Sequence, residues 1–132
     1  MYRLFRRKNR MENLCRIRNI QRAVAGFESQ FEKRYGICLN EGMALCSLHQ
    51  AGSLSSGEIG ELLGLTSSNT SKVIRSIENK GLIERILGMK DKRQMYFSLT
   101  PRGKELISSV KCNEIEFSPL LANLLESMPD SY

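Results

Sequence analysis

The chain has 132 residues, of which 41% are hydrophobic and 26% are charged, and its formal net charge is +6. This length predicts one domain with a modest core, and no apolar run is long enough for a membrane-spanning helix or a secretory signal, so a cytoplasmic protein is expected. The four cysteines show no CxxC spacing and His49 is the only histidine, which argues against a structural zinc site. No metal or cofactor is predicted.

Positive charge is concentrated in two regions of the sequence. Residues 1–10 carry five basic residues and no acid, and residues 66–104 carry nine basic residues against three acids. From residue 111 onward, one lysine stands against four acids. This distribution favours a polyanionic partner, with an ordinary solvated surface as the alternative.

The N-terminal third of the chain predicts a basic arm followed by a long helix. Residues 1–12 are interpreted as an arm that can be disordered, and Met11 leaves open that the first ten residues are an upstream extension. From residue 13 to 36, apolar side chains recur every three or four residues, which predicts an amphipathic helix. Its stripe consists of Leu14, Ile17, Ile20, Val24, Phe27 and Phe31. A small core cannot cover such a stripe, so part of it is expected to meet a second subunit, with intrachain packing as the alternative.

Three shorter helices follow, separated by residues that cap or end a helix. Asn40 is predicted to cap the first of them. Ser55 and Glu58 have the spacing of a capping box, and Gly64 is expected to end that helix in a left-handed conformation. Thr66 is predicted to cap the next helix, over 67–80. A helix, a short turn with glycine and a second helix form the helix-turn-helix arrangement.

The helix over 67–80 separates apolar from polar side chains. Val73, Ile74 and Ile77 form the face expected to be buried. The polar residues outside this face are Ser68, Asn69, Ser71, Lys72 and Arg75. Such a helix suits a position with one face on the core and the other against base edges in a DNA groove.

Two alternating segments, 82–87 and 94–99, predict a β-hairpin around the charged loop 88–93. Thr100 and Pro101 then begin a further helix, and an amphipathic stretch follows near Pro119. The predicted fold is mainly α with a small β-hairpin wing (α+β), a winged helix-turn-helix. Its DNA-binding lobe spans 40–100 within a single domain over 13–132, and its dimerisation helices span 13–36 and 101–128.

Two stretches of the sequence resemble the MarR family of bacterial winged-helix transcriptional regulators. The first runs from Leu62-Leu63-Gly64-Leu65-Thr66 to Lys80-Gly81-Leu82-Ile83-Glu84-Arg85. The second comprises Asp91-Lys92-Arg93, Leu99-Thr100, Gly103 and Leu106, which is similar to that family's wing signature. The resemblance implies a homodimer whose first and last helices interleave, with a recognition helix in the major groove of double-stranded DNA and a wing arginine in the adjacent minor groove.

The resemblance also implies roles for particular residues. Arg93 would enter the minor groove and Asp91 would orient the wing. The residues facing the major groove or its phosphates would be Ser68, Asn69, Thr70, Ser71 and Lys72. From charge and position alone, the candidates for phosphate contacts are Thr66, Lys72, Arg75 and Lys90.

The sequence therefore predicts a sequence-specific DNA-binding repressor that acts as a homodimer on a pseudo-palindromic operator. A small-molecule effector is expected between the dimer helices and the DNA-binding lobe, with Phe27, Tyr35 and Met43 as candidate lining residues, although each is more often plain core. A thiol-switched regulator using Cys15 or Cys38 and a protein-interaction module are the alternatives. An enzyme is the least expected class, because no catalytic cluster is visible.

Overall fold

The computed structural model describes residues 2–87, 94–110, 115 and 118–129, with side chains from residue 12 onward. The helices in this part of the chain are α1 (Tyr2–Tyr35), α2 (Leu39–Ala51), α3 (Ser56–Leu63), α4 (Ser67–Asn79), α5 (Pro101–Ser109) and α6 (Pro119–Ser127). The strands are β1 (Ser53–Ser55), β2 (Ile83–Leu87) and β3 (Met95–Leu99). The predicted fold class, mainly α with a small β-hairpin, is confirmed. Within the described residues, no helix is both long and apolar enough to cross a membrane.

Helix α1 is longer than the sequence pattern predicted. It runs without interruption for 34 residues and begins at Tyr2, so it continues through the segment predicted as an arm over 1–12. The physical reason is that neither glycine nor proline precedes Gly26, and nothing in the basic segment ends a helix. At about 1.5 Å per residue, the helix is roughly 50 Å long.

The core lies in the lobe that follows α1. Its most buried large side chains are Leu45 and Leu48 of α2, Ile59 of α3 and Ile77 of α4, each no more than 1% exposed. Phe31 joins this core from the C-terminal part of α1 and is 3% exposed. The helix-turn-helix is therefore packed against α2 and the end of α1, and this packing determines where α4 lies.

The sheet has three strands in the order β1-β3-β2, all antiparallel neighbours. The predicted hairpin is confirmed, with Ile83 opposite Leu99 at its base and Leu87 opposite Met95 at its outer end. Strand β1 was not predicted. Three residues are too few to show alternation, and β1 exists because Leu54 pairs with Phe97 of β3, far along the chain.

The predicted helix caps are confirmed at all but one position. Ser55 and Glu58 form both halves of the capping box, and Gly64 has φ +66°. Thr66 caps α4 and Thr100 caps α5. Helix α2 instead begins at Leu39 with Cys38 at its N-cap, where the Cys38 N–H donates to the Glu41 carboxylate at 2.9 Å. The predicted cap, Asn40, therefore lies inside the first turn.

Candidate nucleic-acid interface

The N-terminal half of α4 presents a polar edge to solvent. The Thr66 Oγ1 accepts a hydrogen bond from the Asn69 N–H at 3.2 Å, which holds the first turn. The exposed residues on this edge are Ser68, Asn69, Ser71, Lys72 and Arg75. On the opposite face, Ile74 and Ile77 are buried. The predicted separation of polar and apolar faces is therefore present, and the polar face is open to a partner.

Thr70 does not belong to this edge. Its side chain is 2% exposed, and its Oγ1 donates to the Thr66 carbonyl oxygen at 2.8 Å. A Cβ added to Gly60 of α3 would lie 2.7 Å from this Oγ1, so the two helices approach closely here. The side chain of Thr70 therefore does not lie on the exposed edge, where it was predicted to face the groove. The spacing of Thr70, Ile74 and Ile77 places all three on one helical face, and this signal was already in the sequence.

The loop predicted as the wing tip, 88–93, lies outside the described residues. The roles predicted for Lys90, Asp91 and Arg93 therefore remain predictions. The structure does describe the base of the hairpin, where β2 and β3 pair along their full length. This pairing places Leu87 opposite Met95 at the outer end of the hairpin.

Arg85, in the middle of β2, forms an ion pair with a residue of α4. Its Nε and one terminal nitrogen donate to the two carboxylate oxygens of Glu78 at 2.7 and 3.2 Å. The hydrogen bonds from Arg85 lower the pKa of Glu78, and the same contact raises the pKa of the Arg85 guanidinium. Arg85 therefore links α4 to the hairpin.

The two cations nearest the middle of the polar edge differ from Arg85. Lys72 and Arg75 are exposed, and within the described part of the chain neither has an ion-pair partner. Their charges face solvent, as a phosphate contact requires.

A buried carboxylate behind α4 was not predicted. Glu41 of α2 is 4% exposed. Its oxygens accept hydrogen bonds from Ser76 Oγ at 2.7 Å and from Lys80 Nζ at 3.0 Å, besides the Cys38 N–H. Burial alone would raise the pKa of Glu41, but these hydrogen bonds outweigh it and the pKa lies below its usual value. Its partners on α4 are distant in sequence. The local pattern of a capping box was also missed, because its cap position holds Cys38, which is not a usual N-cap residue.

A cleft of about 490 Å³ opens between the end of α1, the end of α4 and α5. Its lining residues are Tyr35, Gly36, Ile37, Lys80, Leu82, Arg102, Glu105, Leu106 and Ser109. Of the predicted effector-binding residues, only Tyr35 lines it. Phe27 stacks near Phe31, with ring centroids 5.9 Å apart, and Met43 is 41% exposed. The cleft combines apolar walls with the cations of Lys80 and Arg102 and the carboxylate of Glu105, and Lys80 is already paired with Glu41.

Three of the cysteines lie in the part of the chain that the structure describes. Cys15 and Cys46 are exposed and Cys38 is half-buried. Burial raises the pKa of the Cys38 thiol, and the nearby Glu41 carboxylate adds to this effect. A raised pKa lowers the thiolate fraction, so Cys38 is poorly suited to a redox switch.

Comparisons with known proteins show that the chain is similar to transcriptional regulators. The MarR family model matches residues 37–95. The uncharacterized HTH-type transcriptional regulator YkoM of Bacillus subtilis is 32% identical over 106 residues, covering 75% of this chain and 69% of YkoM. The regulator YwaE of the same organism is 27% identical over 93 residues, covering 70% of this chain but only 54% of YwaE. The chain thus spans about half the length of that relative.

Among solved structures, a mutant MarR from E. coli complexed with operator DNA superposes with a TM-score of 0.68. The match covers 90% of this chain and 86% of that one, at 19% sequence identity. At this identity the likeness shows a shared fold.

Proposed function

The chain belongs to the MarR family, and from this premise we propose that it is a DNA-binding transcriptional regulator that represses transcription as a homodimer on a pseudo-palindromic operator. One observation carries the proposal. Helix α4 leaves the polar edge that begins after Thr66 exposed, while Ile74 and Ile77 on the opposite face are buried in the lobe. Family membership also supports the prediction that the chain is not an enzyme.

Contacts to the DNA backbone would fix the register of the protein. The N–H groups at the start of α4, next to Thr66, are suited to a phosphate because they carry the positive end of the helix dipole. Lys72 and Arg75 have solvent-facing charges for the same purpose.

Contacts to base edges would provide sequence choice. Ser68, Asn69 and Ser71 are short, exposed side chains on the same edge. The amide of Asn69 can both donate to and accept from an adenine in the major groove. In the wing, we propose Arg93 for the minor groove, Asp91 as the residue that orients it and Lys90 for a phosphate.

Exposed apolar side chains at both ends of the chain support a homodimer. Leu14 and Ile17 of α1 are 69% and 52% exposed, and Leu120 and Leu125 of α6 are 41% and 48% exposed. Helices α1 and α6 also contact each other within the chain. A second copy that packs its own α1 and α6 here would remove this apolar surface from water.

We assign effector binding to the cleft beside Tyr35. It lies between α1, which we place in the dimer, and α4, which we place in the groove. An effector bound there shifts the equilibrium only if it prefers one separation of the recognition helices to another. Repression is the simplest result of DNA binding, because the bound dimer blocks access of the polymerase.

The experiment that tests the proposal is selection of bound sequences from a random duplex pool by the purified protein. We expect a pseudo-palindrome with half-sites roughly 10 bp apart. We also expect affinity to fall by about 10³ to 10⁵ between 50 and 200 mM salt if six or more phosphates are contacted. The proposal fails if no sequence is enriched and no duplex is retained at low salt.

A matched pair of substitutions assigns the interface. Asn69→Ala should weaken binding to the selected sequence by about 1–3 kcal/mol and relax the preference at one base pair. Asn123→Ala removes an identical amide from the exposed surface of α6 and should leave DNA affinity unchanged. Equal effects of the two substitutions would contradict the placement of α4 in the groove.

A further inference from the structure

The carboxylate of Glu41 lies where the DNA-binding lobe meets the corner that follows α1, and its contacts reach both. Glu41 belongs to the first turn of α2, immediately after the corner where α1 ends. Its hydrogen-bond partners Ser76 and Lys80 belong to the last turn of α4 and its C-cap. The contact therefore joins the helix proposed for the groove to the corner of the helix proposed for the dimer.

The geometry of this contact leaves the carboxylate little freedom. One oxygen accepts from the Cys38 N–H at 2.9 Å and from Lys80 Nζ at 3.0 Å. The other accepts from Ser76 Oγ at 2.7 Å and again from Lys80 Nζ at 3.0 Å. Lys80 Nζ also reaches the carbonyl oxygen of Gly36 at 3.5 Å, at the end of α1. Hydrogen bonds to a buried charge are among the strongest in proteins, so the helices are held in one relative orientation.

The position of the contact along α4 determines what a change in it would do. The C-terminal end of α4 is held at Glu41, while its polar edge begins at the other end, after Thr66. A helix of 13 residues is about 20 Å long, so a small rotation at the held end moves the exposed end by several ångström. In a dimer, this movement changes the distance between the two recognition helices.

We propose that Glu41 is a positioning residue for DNA recognition, and that its contacts with Ser76 and Lys80 set the half-site spacing that the dimer reads. The inference rests on the proposed function, because it needs a dimer that binds DNA through α4. Glu41 itself touches no DNA. Its effect is on the choice between operators of different spacing, and it leaves the contacts within one half-site intact.

The test uses the full-length protein and the sequence selected by the wild type from the random pool. Binding is measured on a series of duplexes in which the two half-sites are moved apart or together by single base pairs, and on a duplex with one half-site. Glu41→Gln keeps the shape of the side chain and removes its charge. We expect it to reduce the discrimination between the best and the next spacing roughly tenfold, the size expected from one lost charged hydrogen bond, with half-site binding unchanged.

Glu78→Gln is the matched control. It makes the same change of charge on α4 itself, in the contact with Arg85 that does not reach α1 or α2. We expect the spacing preference of this variant to equal that of the wild type. A general loss of stability in Glu41→Gln would instead lower half-site and full-site binding together, a result that would contradict a positioning role.

A second variant keeps the inference testable if Glu41→Gln does not fold. Ser76→Ala removes one hydrogen bond and leaves the ion pair of Glu41 and Lys80, so a smaller loss of spacing preference is expected. Folded variants of Glu41 and Ser76 that keep the wild-type spacing profile would overturn the inference. A wild type that binds DNA without any spacing preference would overturn it too, while leaving DNA binding itself intact. A wild type that retains no duplex would overturn the proposed function first.

Discussion

The two ends of helix α4 differ in how they are held. At the N-terminal end, Ser67, Ser68 and Asn69 are exposed, and the buried Thr70 packs close to Gly60 of α3. At the C-terminal end, Ile77 is fully buried, Glu41 binds Ser76 and Lys80, and Glu78 binds Arg85. Polar side chains at the first end are available to a partner, and those at the second end are already used within the protein.

Residue type alone therefore does not distinguish a side chain that is available to a partner from one that holds the helix in place. Serine occurs at both ends, as Ser68 and Ser71 on the open edge and as Ser76 in the contact with Glu41. An element that is held firmly at one end presents the other end in a defined orientation, which reduces the entropy lost when a partner binds. The following substitutions test whether the two ends of α4 differ in their contribution to the stability of the fold.

The largest effect is expected for Ile77→Ala. Ile77 is 0% exposed, and removing a buried isoleucine side chain should lower the free energy of unfolding by about 2–5 kcal/mol. Urea denaturation followed by circular dichroism measures this change. Asn69→Ala, at the open end, should change the same quantity by less than about 0.5 kcal/mol. Similar losses for both variants would show that the open end also supports the fold.

A smaller effect is expected for Glu41→Ala. The substitution leaves Ser76 Oγ and the Cys38 N–H without their acceptor, which should cost about 1–3 kcal/mol of unfolding free energy. We give the lower part of this range more weight, because the Lys80 side chain is 40% exposed and water can solvate its ammonium group. The measurement is again urea denaturation at neutral pH. A variant as stable as the wild type would show that the contact does not hold the C-terminal end.

The same contact should make stability depend on pH. Hydrogen bonds from Cys38, Ser76 and Lys80 hold the pKa of Glu41 below its usual value in the folded protein, although burial acts in the opposite direction. Its contribution is therefore complete above the unfolded pKa of about 4.3 and is lost as the pH falls through the lower folded pKa. The stability difference between wild type and Glu41→Gln should shrink between neutral pH and about pH 3. A difference that grows on acidification would have the wrong sign.

The smallest effect is expected for Glu78→Gln. Its partner Arg85 is exposed, with 57% of its side chain accessible, and exposed ion pairs contribute about 0–1 kcal/mol. The effect should decrease with added salt, because screening acts on exposed charges. Thermal unfolding at low and high salt checks both points. A loss of stability as large as that of Glu41→Ala would mean that the difference in burial between the two ion pairs does not change what they contribute.

Much of the fold was predictable because its signals are local. The capping box of Ser55 and Glu58, the left-handed Gly64 and the cap at Thr66 each depend on residues within one helical turn. The hairpin was predictable from alternation on either side of a short loop. The exposed edge of α4 followed from helical periodicity, and the same periodicity could have assigned Thr70 to the buried face.

Other features depend on residues that are far apart in sequence. Strand β1 forms only because β3 lies beside it, and Glu41 is buried only because Ser76 and Lys80 reach it from α4. The cleft beside Tyr35 needs the ends of α1 and α4 together with Arg102 of α5. No local pattern of charge or polarity predicts any of these contacts. For this reason Met43 and Phe27 were predicted to line an effector site together with Tyr35, although neither lines the cleft.

The sequence by itself determined the helices after α1, the caps of α3, α4 and α5, the hairpin and the polar edge of α4, because backbone hydrogen bonding and side-chain periodicity act over a few residues. Only the tertiary structure decided which polar groups remain free. It buried Thr70 against Gly60, paired Arg85 with Glu78 and enclosed Glu41 behind α4. The physical reason is that a polar group leaves water only where packing brings it a partner, and packing is a property of the whole chain.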